Sequence, residues 1–474
     1  MRLAPFDQRP HELLLTNLAR RGRIRDGEEH LAAALRSFAS EGLDCAPLRR
    51  AWQAARATPA SSTSTATALV VPERDLSISG AARRASIAVM PFADSAPAAG
   101  GGRAGEALAH DVITRVAQLR SLFVIAQGTV FALQERGVAT EEAARPLNVD
   151  YIVSGSLQRV GRRLNVHVEL AETQTAHIIW AEVFDRELDD ALLVLDEIGN
   201  RIVALIASEI ETAERNRAIL RPPNSLDTWE AHHRGLWHMY RFSKSDNARA
   251  RPFFEIALQL DPTFARAHAG LSFTHWQDAF QGWTARAPAV DLAFAAAGQS
   301  VMADDRDPAA HWAMGRALWL RGHHDQSVGE LERTIDLSPN FAMGHYALAF
   351  VRAQTGDSNA AIACSDQSRL SSPFDPLFAM LATRAMALVR LQRFEEAAGW
   401  AAQAASRPNA HPHVLAIAAF CLALAGSIPE ARALAAGIRK VLPNYSLADF
   451  LNAFQYEEKG AALFRTGAQR IGMG

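Results

Sequence analysis

The sequence predicts a multidomain chain: a compact α/β domain followed by an all-α solenoid of helical hairpins. Three observations predict it. Between residues 86 and 190 short apolar runs alternate with a helical period and end in three consecutive strand-like segments. Beyond residue 225 the periodicity is almost wholly helical. In that second part prolines at 308, 339, 373, 408 and 443 follow one another at 31, 34, 35 and 35 residues, which is a repeat period.

Composition bounds the rest. The chain has 474 residues, with 49 basic and 51 acidic side chains and a net charge of -2, which excludes a wholesale cationic binder. At 49% hydrophobic residues there is enough apolar side chain for about three cores, so disorder is not expected over most of the length. Cys45, Cys364 and Cys421 are far apart and form neither a disulfide framework nor a zinc pattern. No apolar run is long enough to span a bilayer, and a cytoplasmic location is the expectation.

Taken in order, residues 1–56 read as two or three amphipathic helices, with Gly22 and Gly42 as stops and Pro47 opening the last. Residues 57–85 are rich in Ser, Thr and Ala and read as a linker. The α/β domain occupies 86–190. SIAVMPF is a buried strand, EALAHDVITRVAQL a helix, LFVIAQ a strand and EEAARPLN another helix. In LNVHVEL the apolar positions 164, 166, 168 and 170 alternate, so one face of that strand is buried. Ser154 and Ser156 flank Gly155 at a predicted hairpin or strand entrance. A connecting helix and linker fill 191–224.

The repeat array covers 225–443 in about six hairpins, and 444–474 forms a capping segment with a final amphipathic helix. Second helices are marked by small or apolar residues ahead of each proline: Ala250, Phe254 and Ala257; Ala296 and Ala303; Ser327, Leu331 and Thr334; Ala361 and Ser365; Ala397, Ala401 and Ala404; Ala431 and Ala435. First helices carry Trp312, Met314 and Gly315, then Tyr346 and Leu348, and Gly322, Gly356 and Gly426 stand at internal turns. These residues resemble the tetratricopeptide repeat. The resemblance implies stacked hairpins with a groove for an extended peptide or partner helix. Trp276, Trp283, Trp312 and Tyr346 are its candidate partner-binding residues, with packing as the competing role.

The segments SIAVMPF, GEALAHDVITRVAQLRSLFVIA and NVDYIVSGSLQRVGRRLNVHVELAETQTAHIIWAEVFDREL, joined to the hairpins, resemble the TolB-like domain that precedes tetratricopeptide repeats in bacterial regulatory proteins. In that family the pair commonly follows an effector, either a winged-helix DNA-binding domain or a nucleotide cyclase. Leu18, Gly22, His30, Leu31, Phe38, Gly42 and Leu48 resemble the closing helices of the bacterial transcriptional activator domain. The whole is similar to a truncated or divergent SARP-type transcriptional regulator, because no complete winged helix fits before His11.

Arg20, Arg21, Arg23 and Arg25 are candidate weak nucleic-acid contacts, diluted by Asp26, Glu28 and Glu29; phosphate contacts alone supply no sequence specificity. No catalytic set emerges. Gly100, Gly101, Gly102 and Arg103 lack the lysine and hydroxyl of a phosphate loop. The pairs His232/His233, His323/His324 and His411/His413 lack the further ligands of a tetrahedral metal site. No cofactor and no metal are expected. The expected function is non-enzymatic regulation, in bacterial transcription or signal transduction, through a protein or peptide partner in the repeat groove and without a membrane. Two alternatives stay open: a structural adaptor without DNA output, and a regulatory portion related to nucleotide cyclases but lacking the catalytic domain.

Overall fold

The computed structural model describes residues 46–57, 84–94, 104–136, 146–187, 191–371, 377–408 and 410–473, with single positions at 28, 31, 32, 35 and 143. The chain divides into two compact units, residues 1–77 and 78–474. In the first, helix α1 (Ala46–Ala57) buries Leu48 and Trp52, and Leu31 and Leu35 pack on Leu48. An amphipathic stripe closed on a neighbouring helix accounts for those positions.

The second unit opens with a mixed sheet. Its strands are β1 (Ser86–Val89), β2 (Ala93–Asp94), β3 (Phe123–Val124), β4 (Tyr151–Val160), β5 (Arg163–Glu172) and β6 (His177–Glu187). Their order is β3-β1-β4-β5-β6, with β2 beside β4. Strand β1 runs parallel to β3 and β4, while β4, β5 and β6 form an antiparallel meander. Parallel neighbours need a crossover, which helix α2 (Ala104–Gln118) supplies between β1 and β3. Leu164, Val166, Val168 and Leu170 of β5 are buried, and His167 and Glu169 between them are exposed.

Gly155 lies in the middle of β4, not at a strand entrance. A Cβ there would stand 2.3 Å from the His167 carbonyl oxygen and 3.0 Å from the Phe92 ring, so only glycine lets Phe92 lie on the sheet. Two elements were not legible as periodic text: the two-residue β2 and helix α3 (Gln127–Glu135). Of the expected helix EEAARPLN, only positions 143 and 146–148 are among the described residues.

Helix α4 (Ala191–Leu220) leaves the sheet and reaches the hairpins. It buries Ile198, Ile202, Val203, Ile206 and Ile210. Six antiparallel hairpins follow: α5 (Thr228–Met239) with α6 (Lys244–Leu260), α7 (Ala265–Gln281) with α8 (Arg286–Ala303), α9 (Pro308–Leu320) with α10 (His324–Leu337), α11 (Ala342–Thr355) with α12 (Ser358–Ser371), α13 (Leu377–Arg390) with α14 (Phe394–Ala405), and α15 (Pro412–Leu424) with α16 (Ile428–Val441). The first is opened by a capping box, in which Asp227 accepts from the Glu230 backbone and Glu230 accepts from the Asp227 backbone. Left-handed Gly282, Gly322, Gly356 and Gly426 end α7, α9, α11 and α15.

Close helix approach explains the small residues. Gly235 and Gly270 face Phe254 from two sides, and a Cβ on either would come within 2.6 Å of its ring. Ser272, Ser300, Ser327 and Ser365 bond to carbonyls of the helix they face, at 2.7–2.9 Å, so their buried hydroxyls are satisfied. In the second hairpin the buried positions are Ala293, Ala297 and Ser300, whereas Ala296 and Ala303 are only half-buried. The register expected there is corrected by three positions, from Ala296 and Ala303 to Ala293 and Ser300, since the stripe must face α7.

First helices touch one another in succession, α7 with α9, α9 with α11, α11 with α13 and α13 with α15, and so form an inner row. The row curls tightly: Phe280 of α7 and His413 of α15 stand with ring centroids 5.1 Å apart. The carboxy-terminal segment, helix α17 (Leu447–Ala453) and helix α18 (Glu458–Arg470), packs against this row as well as against the last hairpin. Among the described residues, no helix is long and apolar enough to cross a membrane.

Candidate functional site

The inner row carries an unusual amount of aromatic surface. Trp276 packs on Phe273, Phe280, Trp319 and Phe350 with centroids 4.6–6.1 Å apart. Phe273 meets Trp312 at 5.0 Å, and Phe350 meets Tyr346 at 6.3 Å. These contacts turn three of the candidate anchors inward: Trp276, Trp312 and Tyr346 are 4%, 5% and 7% exposed. Helices α9 and α11 are apolar nearly all round, and such helices lie inside a structure. As surface anchors the three are therefore corrected: their rings fill the inside of the curl.

One charge is enclosed with them. The Arg316 guanidinium is 3% exposed, lies 3.8 Å from the Trp276 ring centroid and is also close to Phe273, Tyr346 and Phe350. Among the described residues the Tyr346 hydroxyl is the polar group interacting with it, and no acceptor meets strict hydrogen-bond geometry with its nitrogens. Burial pushes its pKa down to about 10, and the Tyr346 hydroxyl partly offsets that. Stacking on aromatic faces is what keeps the cation tolerable there.

The fourth candidate, Trp283, is half-buried and opens onto solvent space. It lines a cavity of about 920 Å³ at the end of the inner row where α7 meets the loops before α15 and after α16. That volume is in the range of ligand clefts. One wall carries Arg241, Lys244 and Arg286; the other carries His411, His413, Leu442 and Tyr445, with Asp449 as the lone carboxylate of the lining. Asp449 is already engaged by the backbone N–H and hydroxyl of Ser446, at 2.8 Å each. Arg241 is held by stacking 3.5 Å over the Trp237 ring, and Arg286 donates to the Ala279 carbonyl at 3.1 Å. Burial drives the His413 pKa down to about 4 and that of His411 well below the usual imidazole value, so both stay neutral near pH 7. The cavity therefore presents cations beside aromatic and aliphatic surface, which suits an acidic segment with apolar side chains.

Arg241, Lys244, Arg286 and Tyr445 left no joint signal in the sequence, because they come from turns and helix starts spread between positions 241 and 445. The one local signal was the cationic turn RFSK at 241–244. Arg20, Arg21, Arg23 and Arg25 lie outside the described residues. Among the described residues no three His, Cys, Asp or Glu side chains are grouped so as to hold a metal ion; His232 and His233 instead pack against Trp229 and Phe264.

Sheet, connecting helix and hairpins are joined around Glu214. Its carboxylate accepts from the Tyr151 hydroxyl of β4, from Trp229 Nε1 of α5 at 2.7 Å and from Arg217 at 2.7 Å. Arg120 pairs with Asp304 at 2.6 Å, and Arg266 bridges Asp307 and the Leu119 carbonyl at 2.8 and 2.6 Å.

Residues 83–202 match the family model for the second domain of HilA/YgeH-like transcriptional regulators. The chain is 28% identical over 238 residues to a putative adenylate cyclase 3 of Rhizobium meliloti (strain 1021). That alignment takes in 50% of this chain and 40% of the relative, so the chain spans less than half of the relative's length. Two solved structures are similar at low scores. TolB from Acinetobacter baumannii aligns with 28% of this chain and 30% of its own, at 13% identity and a TM-score of 0.20. YrrB, described as a TPR protein with an unusual peptide-binding site, aligns with 37% of this chain and 91% of its own, at 14% identity and a TM-score of 0.27.

Proposed function

We propose that this chain is the regulatory, partner-binding part of a signalling system, related to the corresponding part of a putative nucleotide cyclase and not itself catalytic. In this reading the α/β domain is TolB-like and the hairpins are tetratricopeptide repeats whose groove takes a protein segment. The observation that carries it is the cavity at the open end of the inner row, with Trp283 beside Arg241, Lys244 and Arg286. Its preferred partner is an acidic peptide with apolar side chains. Support for the signalling context comes from the shared 238 residues with the putative cyclase.

The test has two arms on the full chain. Purified protein incubated with ATP and magnesium or manganese makes no cyclic nucleotide; formation of one sinks the non-enzymatic reading. Affinity capture in the native host, followed by direct binding of the captured protein's acidic segment, succeeds with the wild type and drops at least tenfold in the double substitution Arg241→Glu, Lys244→Glu. Equal binding by both sinks the cavity assignment.

A second reading, output to transcription, is favoured by the family match over 83–202. It predicts that the chain, alone or with its partner, shifts a specific DNA fragment from its host genome on a native gel in the presence of competitor DNA. A shift abolished equally by any competitor removes this reading.

A further inference from the structure

Between α17 and α18 four residues, Phe454, Gln455, Tyr456 and Glu457, leave helical geometry; Phe454 and Glu457, at either end of the run, have extended backbones. They lie across the inner row. The Phe454 ring lies 5.2 Å from Phe280 of α7 and 5.9 Å from Phe350 of α11. Gln455 donates from its side-chain amide to the Trp319 carbonyl at the end of α9, at 2.7 Å. Its backbone N–H donates to the Gln354 side chain of α11 at 2.8 Å, and the Glu457 N–H donates to the Gln354 carbonyl at 3.2 Å. The Glu457 carboxylate then pairs with Arg390 at the end of α13.

Carbonyls in the last turn of a helix have no partner within it, so a row of parallel first helices ends in a row of acceptors. Here an extended backbone and one glutamine amide fill acceptors on two of the helices, while the Phe454 ring fills the apolar surface beside them and the Glu457 carboxylate meets the Arg390 guanidinium. That is the division of labour by which an extended peptide binds a surface: main-chain and amide bonds hold it and side chains specify it.

We propose that residues 454–457 are an internal ligand of the inner face, and that the external partner of this face is an extended segment with the same order of groups: an aromatic, then a glutamine, then an acidic residue two positions further on. The segment holds the face closed until such a partner displaces it. This rests on the partner-binding function proposed above but concerns a neighbouring part of the inner face, so either assignment fails without the other.

The probe is a fluorescein-labelled synthetic peptide of residues 446–458, added to the full chain and followed by anisotropy. The substitutions Gln455→Ala and Glu457→Ala together loosen the internal segment. The loosened chain, with wild-type helix content by circular dichroism, is expected to bind the peptide at least 10-fold more tightly than the wild type. A peptide carrying the same two substitutions is expected to bind neither chain. Absence of binding to a loosened chain that remains folded would overturn the proposal, making the segment a fixed part of the core. Should the loosened chain unfold, hydrogen exchange on the wild type decides. The Gln455 and Glu457 amides are expected to exchange at least 10-fold faster than the α9 and α11 amides beneath them, and equal protection overturns the proposal.

Discussion

Gln455 and Trp319 are 136 residues apart in the chain and joined by a 2.7 Å hydrogen bond from the glutamine amide to the tryptophan carbonyl. The bond ties the segment after the last hairpin to the middle of the array. Stability of the curl therefore depends on residues after the last repeat, not on nearest-neighbour stacking alone. Replacement of Phe464, a fully buried ring of α18, by Ala is expected to cost about 3–5 kcal/mol in urea unfolding. A loss below about 1 kcal/mol would show that the carboxy-terminal helices are dispensable caps.

Gly315 of α9 lies against α10, and a Cβ there would stand 2.6 Å from Leu331 Cγ and 3.1 Å from the Ser327 carbonyl. Gly315→Val is expected to destabilise by roughly 1–3 kcal/mol through overpacking. Gly298, with nothing within 4 Å, is the control: Gly298→Ala in a half-buried helix position with open space is expected to be neutral or stabilising by up to about 1 kcal/mol. The melting temperature of Gly315→Val should fall, while that of Gly298→Ala should hold or rise.

Glu214 is 5% exposed and serves the sheet, α4 and the first hairpin at once. Glu214→Ala leaves the Tyr151 hydroxyl and Trp229 Nε1 short of an acceptor, with Arg217 kept only by Glu172, and is expected to cost about 2–4 kcal/mol. Because the lost group joins two layers of the unit, calorimetry should show one transition splitting into two. A single unshifted transition would contradict its role as the junction.

His413 is buried beside Phe280 and Phe454, its Nδ1 2.7 Å from the Tyr445 hydroxyl, and burial holds its pKa at about 4 against 6.5 in the unfolded chain. A depressed folded pKa means that the unfolded state binds the proton first. Stability is therefore fully present above pH 6.5 and is lost progressively as the pH falls from 6.5 to 4, by about 3 kcal/mol for this group. His413→Phe should flatten the decline in melting temperature over that window. An unchanged slope would place the acid sensitivity elsewhere.

How much of this was legible in the sequence follows from how local each signal was. Alternation over 164–170 and the prolines from 308 to 443 are local periodicities, and strand β5 and the hairpins lie where they predict. The second hairpin slipped by three positions because the extended stretch ahead of Arg286 breaks its period. Trp276, Trp312 and Tyr346 could be recognised as large aromatics on first helices, but whether such a ring faces solvent depends on how tightly the array curls. That curl is set by contacts between α7 and α15, far apart in sequence. For the same reason the cations of the cavity, drawn from the approaches to two separate helices, left no spacing to read.

The central claim, that the open end of the inner row takes an acidic peptide with apolar side chains, is tested most directly by peptide-display selection on the full chain. Selection on the wild type is predicted to enrich acidic sequences with aromatic or aliphatic residues, and the enriched peptides are predicted to bind the Arg241→Glu, Lys244→Glu variant at least tenfold more weakly. Enrichment of basic or uncharged sequences, or equal binding to the variant, would contradict it.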